Sequence, residues 1–438
     1  MKTKKATKTD KNTTVFDFEL SVDGDWPRIK TALIALVKWS VLAIIVGGVV
    51  GLIASLFCMA IGWATETRTD NLWLVLLLPF AGLLIVWIAK RSHDQSNIDT
   101  VMGALNSGKK IPWVLAPVIM VSTFISHLFG ASVGREGAAL QLGGSMGESL
   151  SRILHLSAKD KKVLIESGMA AAFSALFGTP IAAAIFPIAF TRVGNFHFAA
   201  LLPCLVSSVV ANRISILMGN HPESFSVADL TNFTGFTILQ ILPLAIVAGL
   251  VSAFFCKILF QSGKLMQKWF KNPYLRIFVG GVVIVVMSVI AWTPNYLGGG
   301  VDVIEAAFAG EVSPFAWILK IAFTCVAVAA GFKGGEIVPS FFIGATLGAV
   351  LAPFLGLPVD ICAACGLIAV FCGVTNSPIT SIIMAIELFG TSGIILYAVT
   401  VAVSYVVSGY YGIYKQQSFQ SSKFSWEDTK LRPRDVLE

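Results

Sequence analysis

Residues 132 to 149 read SVGREGAALQLGGSMGES and set Arg135 and Glu136 side by side among glycines, in a chain otherwise made of apolar runs. An ionised side chain inside a bilayer costs roughly 3 kcal/mol or more, so this pair needs a reason. A carboxylate at a glycine-rich helix start competes with a bound anion for backbone N–H groups, and protonation withdraws it. Anion binding and proton binding then meet in one side chain. Two structural readings stand beside that one: a buried ion pair between Arg135 and Glu136, or an acidic cap on a helix start. Glu336, in GGEIVPSFFIGATLG (334–348), is a second carboxylate of the same type, for which Lys333 offers a structural salt bridge. Glu387, late in the apolar segment IIMAIELFG, reads as a structural hydrogen-bond acceptor. Tyr405, Tyr410, Tyr411 and Tyr414 follow the last apolar run, where interfacial anchoring is the default, although a hydroxyl there can also donate to a dehydrated anion. Lys38, Lys320 and Arg213 lie in or beside apolar runs and are expected to snorkel to helix ends.

The elements that must position these groups are membrane helices. Of 438 residues 55% are hydrophobic and 13% charged, against roughly 25% charged in a soluble domain, and the mean hydropathy is +0.78. Apolar stretches near the roughly 20 residues needed to span a bilayer recur from residue 31 to about residue 412. The class is therefore an all-α polytopic membrane protein. The lysine-rich start, MKTKKATKTDKNTT, is expected to be disordered and is not a cleavable signal peptide. Positive charge gathers in that tail, in AKRSH, SGKK, AKDKK and GKLMQKWFK, and in the C-terminal tail. The positive-inside tendency puts both termini in the cytoplasm of a bacterial-type plasma membrane. The net charge of +7 is accounted for by anionic lipid, with no nucleic acid as partner. The seven cysteines sit in apolar stretches, so CAAC at 362–365 reads as packing, and the five histidines form no metal-ligand spacing. No cofactor and no metal are expected.

The chain also repeats itself. At an offset of about 200 residues GREGAALQLGGSMG lies over GGEIVPSFFIGATLG, pairing Gly134 with Gly334, Glu136 with Glu336 and Gly144 with Gly344. GMAAAFSALFGTPIAAAIF then lies over GLIAVFCGVTNSPITSIIM, with Phe173 over Phe371 and Pro180 over Pro378, and IDTVMGAL lies over VDVIEAAF. The expected organisation is a tail (1–30), a first repeat (31–217), a connecting loop (218–235), a second repeat (236–415) and a C-terminal tail (416–438). Repeats with glycine- and proline-broken segments in matching places bind substrate where the breaks converge. Helix N-termini converging there favour a small anion.

These motifs, in this order, resemble those of the CLC anion channels and transporters: GREGAALQLGG is similar to the GREGP-type motif, GGEIVPSFFIGATLG to the GxFxP region, and NSPITSIIMAIEL to the later segment that ends in a glutamate. The resemblance covers roughly residues 31 to 415. It implies two inverted-topology repeats of tilted and broken helices, a homodimer with one anion pathway per subunit, and no CBS domains in the short C-terminal tail. It implies Glu136 as the external gating glutamate and Glu336 as a second gating or proton-coupling carboxylate. It places the anion beside Gly134, Arg135, Gly137, Ile337 and Val338, with Tyr414 of GYYGIYKQQ as the inner tyrosine and Ser96 or Asn97 of HDQSNID at the inner serine position. Ala138 replaces the proline after GREG, Ile337 replaces the phenylalanine of GxFxP, and GSGIP is not preserved. Phe190 stands where chloride/proton antiporters have an inner glutamate, whereas GGEIVP is similar to the glutamate-bearing form in the fluoride/proton antiporters. Fluoride, small, strongly hydrated and basic enough to share a proton with a carboxyl group, suits a site with a second carboxylate. The leading expectation is fluoride export by fluoride/proton antiport. The alternative is a chloride channel or chloride/proton exchanger, and an intramembrane enzyme is remote, because no nucleophile and base occur at motif spacing.

Overall fold

The computed structural model describes residues 25–92, 98–221, 225–227, 234–425, 427, 429 and 431–437, with side chains of the first helix from residue 29 onward. Up to residue 217 the helices are α1 (Asp25–Asp70), α2 (Leu78–Arg91), α3 (Ile98–Ser107), α4 (Leu115–Leu128), α5 (Glu136–Ile153), α6 (Ala158–Phe177), α7 (Pro180–Phe190) and α8 (Leu201–Leu217). From residue 235 they are α9 (Gly235–Trp269), α10 (Pro273–Ala291), α11 (Val301–Phe308), α12 (Ala316–Ala330), α13 (Ile337–Leu355), α14 (Val359–Thr375), α15 (Pro378–Phe389) and α16 (Ile394–Val407), followed by a short α17 (Pro433–Leu437). Among the described residues six helical segments are long and apolar enough to cross a membrane, while α4, α7, α12, α14, α15 and α16 are apolar but shorter. At about 1.5 Å rise per residue the shorter ones cannot span a core of roughly 30 Å. Their ends must find partners inside the membrane, which is the broken-helix architecture expected. Pro180 and Pro378 each sit at the first helical position of α7 and α15, where a missing N–H costs nothing.

Glycines let matching helix pairs touch. A Cβ on Gly143 would run into the carbonyl oxygen of Gly168, and one on Gly344 into that of Gly366, so α5 packs on α6 as α13 packs on α14, backbone against backbone. Gly168→Ala and Gly366→Ala force those backbones apart, and overpacking of this kind costs about 3 kcal/mol. Thermal unfolding in detergent should show both variants melting well below Gly48→Ala, whose new Cβ meets nothing within 4 Å. Equal melting of all three would contradict the backbone contact.

The two halves meet where α5 and α13 begin. Gly134 and Gly335 form an antiparallel bridge, with N–H···O distances of 2.7 and 2.8 Å in the two directions. Reciprocal pairing of equivalent residues on antiparallel segments puts a local two-fold axis between them, as inverted repeats require. The bridge also corrects the register of the repeat. Gly134 matches Gly335, Arg135 and Glu336 are the residues preceding α5 and α13, and Gly143 and Gly344 make the matching close contacts. The true offset is one residue longer than the sequence match, so Glu136 corresponds to Ile337. Identical Glu side chains had drawn the alignment into the wrong register.

Lys320 departs from expectation as well. It does not snorkel but is fully buried, its Nζ donating to the carbonyls of Tyr296 at 3.2 Å and Gly298 at 2.7 Å. Lys38 pairs with Asp160 at 2.7 Å, and Arg213 is exposed.

Candidate functional site

Arg135 and Glu336 open α5 and α13 without a side-chain cap on either helix. The first N–H groups of a helix have no partner within it, and here they converge beside the Gly134–Gly335 bridge. The Glu136 carboxylate is fully buried and crosses from one repeat to the other: its Oε2 accepts from the N–H of Val338, in the first turn of α13, at 3.3 Å. A carboxylate therefore occupies the place where a helix N-terminus favours an anion. The close approach depends on Gly137, where a Cβ would stand 2.9 Å from the Cα of Gly335, and on Gly134, where it would strike Glu136 Oε2. Ile337 is buried beside Val338.

Arg135 is turned toward α1. Its Nη1 donates to Cys58 Sγ at 3.3 Å, and its Nε lies 4.0 Å from Glu136 Oε1, so the carboxylate has an ion-pair partner and the Val338 N–H together. Glu136 borders a cavity of 160 Å³ on one side of the bridge. Glu336 opens instead on a larger cavity of 580 Å³, whose lining includes Lys333, Lys415, Asp99 and Gln141. The two carboxylates thus face different cavities across one pair of helix starts.

Tyr414 is buried, its hydroxyl has no hydrogen-bond partner among the described residues, and its ring packs edge-on to Phe190 with centroids 5.0 Å apart. Phe190 in turn stacks on Phe186 at 4.8 Å, so the position expected to lack a proton carrier is buried among aromatic rings. Ser96 and Asn97 lie outside the described residues. Glu387 has the structural part expected of it: its oxygens accept from the N–H groups of Ile181 and Ala182 at 2.9 and 2.8 Å, capping α7 from the other repeat.

Sequence reading missed the support of Tyr414. The strand β1 (Arg192–Val193) pairs in parallel with β2 (Ser418–Phe419), drawing the C-terminal tail onto the membrane body. Gln417, fully buried, donates to the carbonyls of Phe190 at 2.7 Å and Thr375 at 2.8 Å and accepts from Asn376 Nδ2 at 3.0 Å. It ties the ends of α7 and α14 together three residues beyond Tyr414. The Lys423 Nζ adds donations to Asn376 Oδ1 at 2.6 Å and to the Tyr405 carbonyl at 2.8 Å, and Tyr410 shares a 3.0 Å hydrogen bond with Ser422. Tyr405 and Tyr410 therefore hold the tail, where interfacial anchoring was expected. Gln417→Ala removes the side-chain donor of the Phe190 carbonyl and leaves the Thr375 carbonyl with Ser377 Oγ at 3.3 Å, at a cost of about 2 kcal/mol. Its thermal midpoint in detergent should fall by several degrees, whereas an unchanged midpoint would show the clamp to be idle.

A family model described as voltage gated chloride channel matches residues 80–409. The chain belongs to the CLC family. Among CLC relatives it is 35% identical to a chloride/fluoride channel protein of Pseudomonas syringae pv. tomato, covering 89% of this chain and 88% of that one. It is 26% identical to an H(+)/Cl(-) exchange transporter of Cronobacter sakazakii, over 84% of this chain and 85% of the other. The crystal structure of a CLC-type fluoride/proton antiporter superimposes with a TM-score of 0.85 at 32% identity, over 88% of this chain and 98% of that one. A slow cyanobacterial Cl-/H+ antiporter gives a TM-score of 0.75 at 21% identity, over 85% and 94% of the two chains, and supports the CLC fold alone. The protein is thus a CLC-fold anion transport protein with two inverted repeats.

Proposed function

We propose that this CLC protein exports fluoride in exchange for protons, with Glu136 as its gate. The observation that carries the reading is the Glu136 carboxylate seated on the Val338 N–H, with a second carboxylate, Glu336, opening on the cavity beyond. Protonation lifts the negative charge from Glu136 and frees the helix N-termini for the anion; the returning carboxylate closes them. Glu336 passes the proton on the other side of the bridge, the part that Phe190, packed among rings, has no group to play. Gly134, Gly137, Ile337 and Val338 supply backbone to the anion, Tyr414 its hydroxyl, Ser96 or Asn97 the inner polar group, and Arg135 the turn that holds Glu136. The relatives named for fluoride are also the more similar ones at 35% and 32% identity.

The break between α8, ending at Leu217, and α9, starting at Gly235, supports repeats of 31–217 and 236–415 between polar tails. The cavity at Glu336 is bordered by Lys264, Lys333, Lys415 and Arg434, which supports placing it, with both termini, on the cytoplasmic face of a bacterial-type plasma membrane. Exposed apolar residues on α8, α15 and α16, such as Leu205, Val209, Ile379 and Ile395, supply a face for a homodimer in the bilayer. Ion-selective electrodes outside proteoliposomes loaded with both halides test the substrate. Fluoride should leave at least about tenfold faster than chloride, a difference of about 1.4 kcal/mol in barrier. Preferential chloride release would overturn the fluoride assignment and leave a CLC chloride pathway.

A further inference from the structure

The helix α12 carries two buried polar side chains that the scheme above does not use. Lys320 and Thr324 are four residues apart, hence on one face of the helix, and both are fully buried. Burying an ammonium without a counter-charge is expensive, and no carboxylate pairs with Lys320 among the described residues. Its Nζ is turned instead on the carbonyls of Tyr296 and Gly298, at 3.2 and 2.7 Å, with the centroid of the Phe342 ring 5.0 Å away.

The carbonyls that Lys320 holds belong to the loop 296–300, which leads from α10 into α11. This loop reaches the helix starts of both repeats. Toward α5, the Gly298 N–H donates to the Ala131 carbonyl at 3.2 Å, three residues before Gly134. Toward α13, a Cβ on Gly299 would stand 3.2 Å from Val338 Cγ1, and one on Gly300 2.8 Å from the Phe342 ring. Thr324 shares a 3.2 Å hydrogen bond with Ser132, so α12 holds the approach to Gly134 directly as well as through the loop. Leu297, Gly299 and Gly300 line the cavity that Glu136 and Val338 border.

We infer that Lys320, with Thr324 beside it, is a positioning residue of the anion gate. It fixes the loop 296–300 across the starts of α5 and α13, and so holds the Val338 N–H and the Glu136 carboxylate at the spacing an anion needs to replace one on the other. The chemistry suits the part: a long stem ending in three donors reaches two carbonyls from a third helix, which no apolar side chain can do. Lys320 touches no anion in this scheme and acts only through the backbone it tethers. The inference takes from the proposed function that an anion displaces Glu136 from Val338. It does not depend on which halide moves or on whether protons accompany it.

Initial halide efflux from proteoliposomes of the full chain, measured against the loaded concentration of sodium fluoride and, in a second arm, of sodium chloride, tests it, with thermal unfolding in detergent alongside. Lys320→Met keeps the stem and removes the donors. Its half-saturating concentration should rise at least about fivefold, the lower end of the effect of coupled positions on affinity, with the maximal rate per folded protein held within about twofold. Thr324→Val, which loses one neutral hydrogen bond, should raise half-saturation about twofold. A lowered melt with parental half-saturation in Lys320→Met would make the residue a fold support only and overturn the inference. Should that variant not fold, Gly299→Ala presses the same loop against Val338 without touching Lys320, and half-saturation at the parental value in both Gly299→Ala and Thr324→Val would overturn it equally. Shifted half-saturation in a chain that moves no protons with fluoride would retain the brace and lose the antiport reading. Proton-coupled fluoride flux with half-saturation unmoved would do the reverse.

Discussion

In Glu136→Gln, the proton movement that accompanies fluoride efflux from proteoliposomes should fall at least tenfold. The side chain keeps the shape of the protonated carboxyl but not the charge of the carboxylate that now accepts from Val338 N–H at 3.3 Å. The amide can neither take up nor release a proton. It therefore no longer competes with fluoride as an anion, and any fluoride that leaves does so uncoupled from protons. A tenfold loss corresponds to about 1.4 kcal/mol in the rate-limiting barrier, well within the reach of one charge-assisted hydrogen bond. The protein itself should remain folded, because the substitution conserves volume and leaves Gly134 and Gly137 in contact with the opposite repeat. Proton-coupled fluoride flux at the parental rate would show that the Glu136 carboxylate is structural, serving only as the partner of Arg135 at 4.0 Å.

Glu336→Gln separates the two halves of the cycle. Glu336 opens on the 580 Å³ cavity lined by lysines and caps no helix with its side chain, so the isosteric amide should change stability by no more than about 1 kcal/mol. Proton flux driven by a fluoride gradient should nonetheless drop at least tenfold. Thermal unfolding and proton flux measured on one preparation make the distinction: an unchanged melt with lost proton flux assigns Glu336 to proton transfer, whereas a lowered melt with parental flux returns it to a structural place beside Lys333.

Much of this architecture was legible in the sequence because it is written in residue types that have few other uses. Glycines at 143, 168, 344 and 366 mark backbone contacts that no side chain survives, and prolines at 180 and 378 mark helix starts. The GREG stretch marks the carboxylate, and the GGEIVP stretch of the other repeat supplies its N–H partner, Val338. The register between repeats is masked in the sequence by the match of Glu136 to Glu336, although the register of the Gly134–Gly335 bridge also aligns Gly143 with Gly344 and Gly147 with Gly348. Lys320 was misplaced because two backbone carbonyls and the Phe342 ring, 5.0 Å away, can hold an ammonium that composition alone sends to the surface. Gln417 and Lys423 looked like a polar tail, because hydrogen bonds to distant carbonyls leave no periodic trace in a sequence.

A gate shared by fluoride and protons makes fluoride efflux pump protons uphill. Proteoliposomes carrying the full chain are loaded with sodium fluoride at equal pH inside and out, the fluoride is diluted outside, and internal pH is followed with a trapped dye while an electrode follows fluoride. Fluoride leaving should drive protons inward, acidifying the interior, and Glu136→Gln should abolish this signal. Fluoride or chloride leaving with no change of internal pH, at the same rate in Glu136→Gln and Glu336→Gln, would contradict a shared gate.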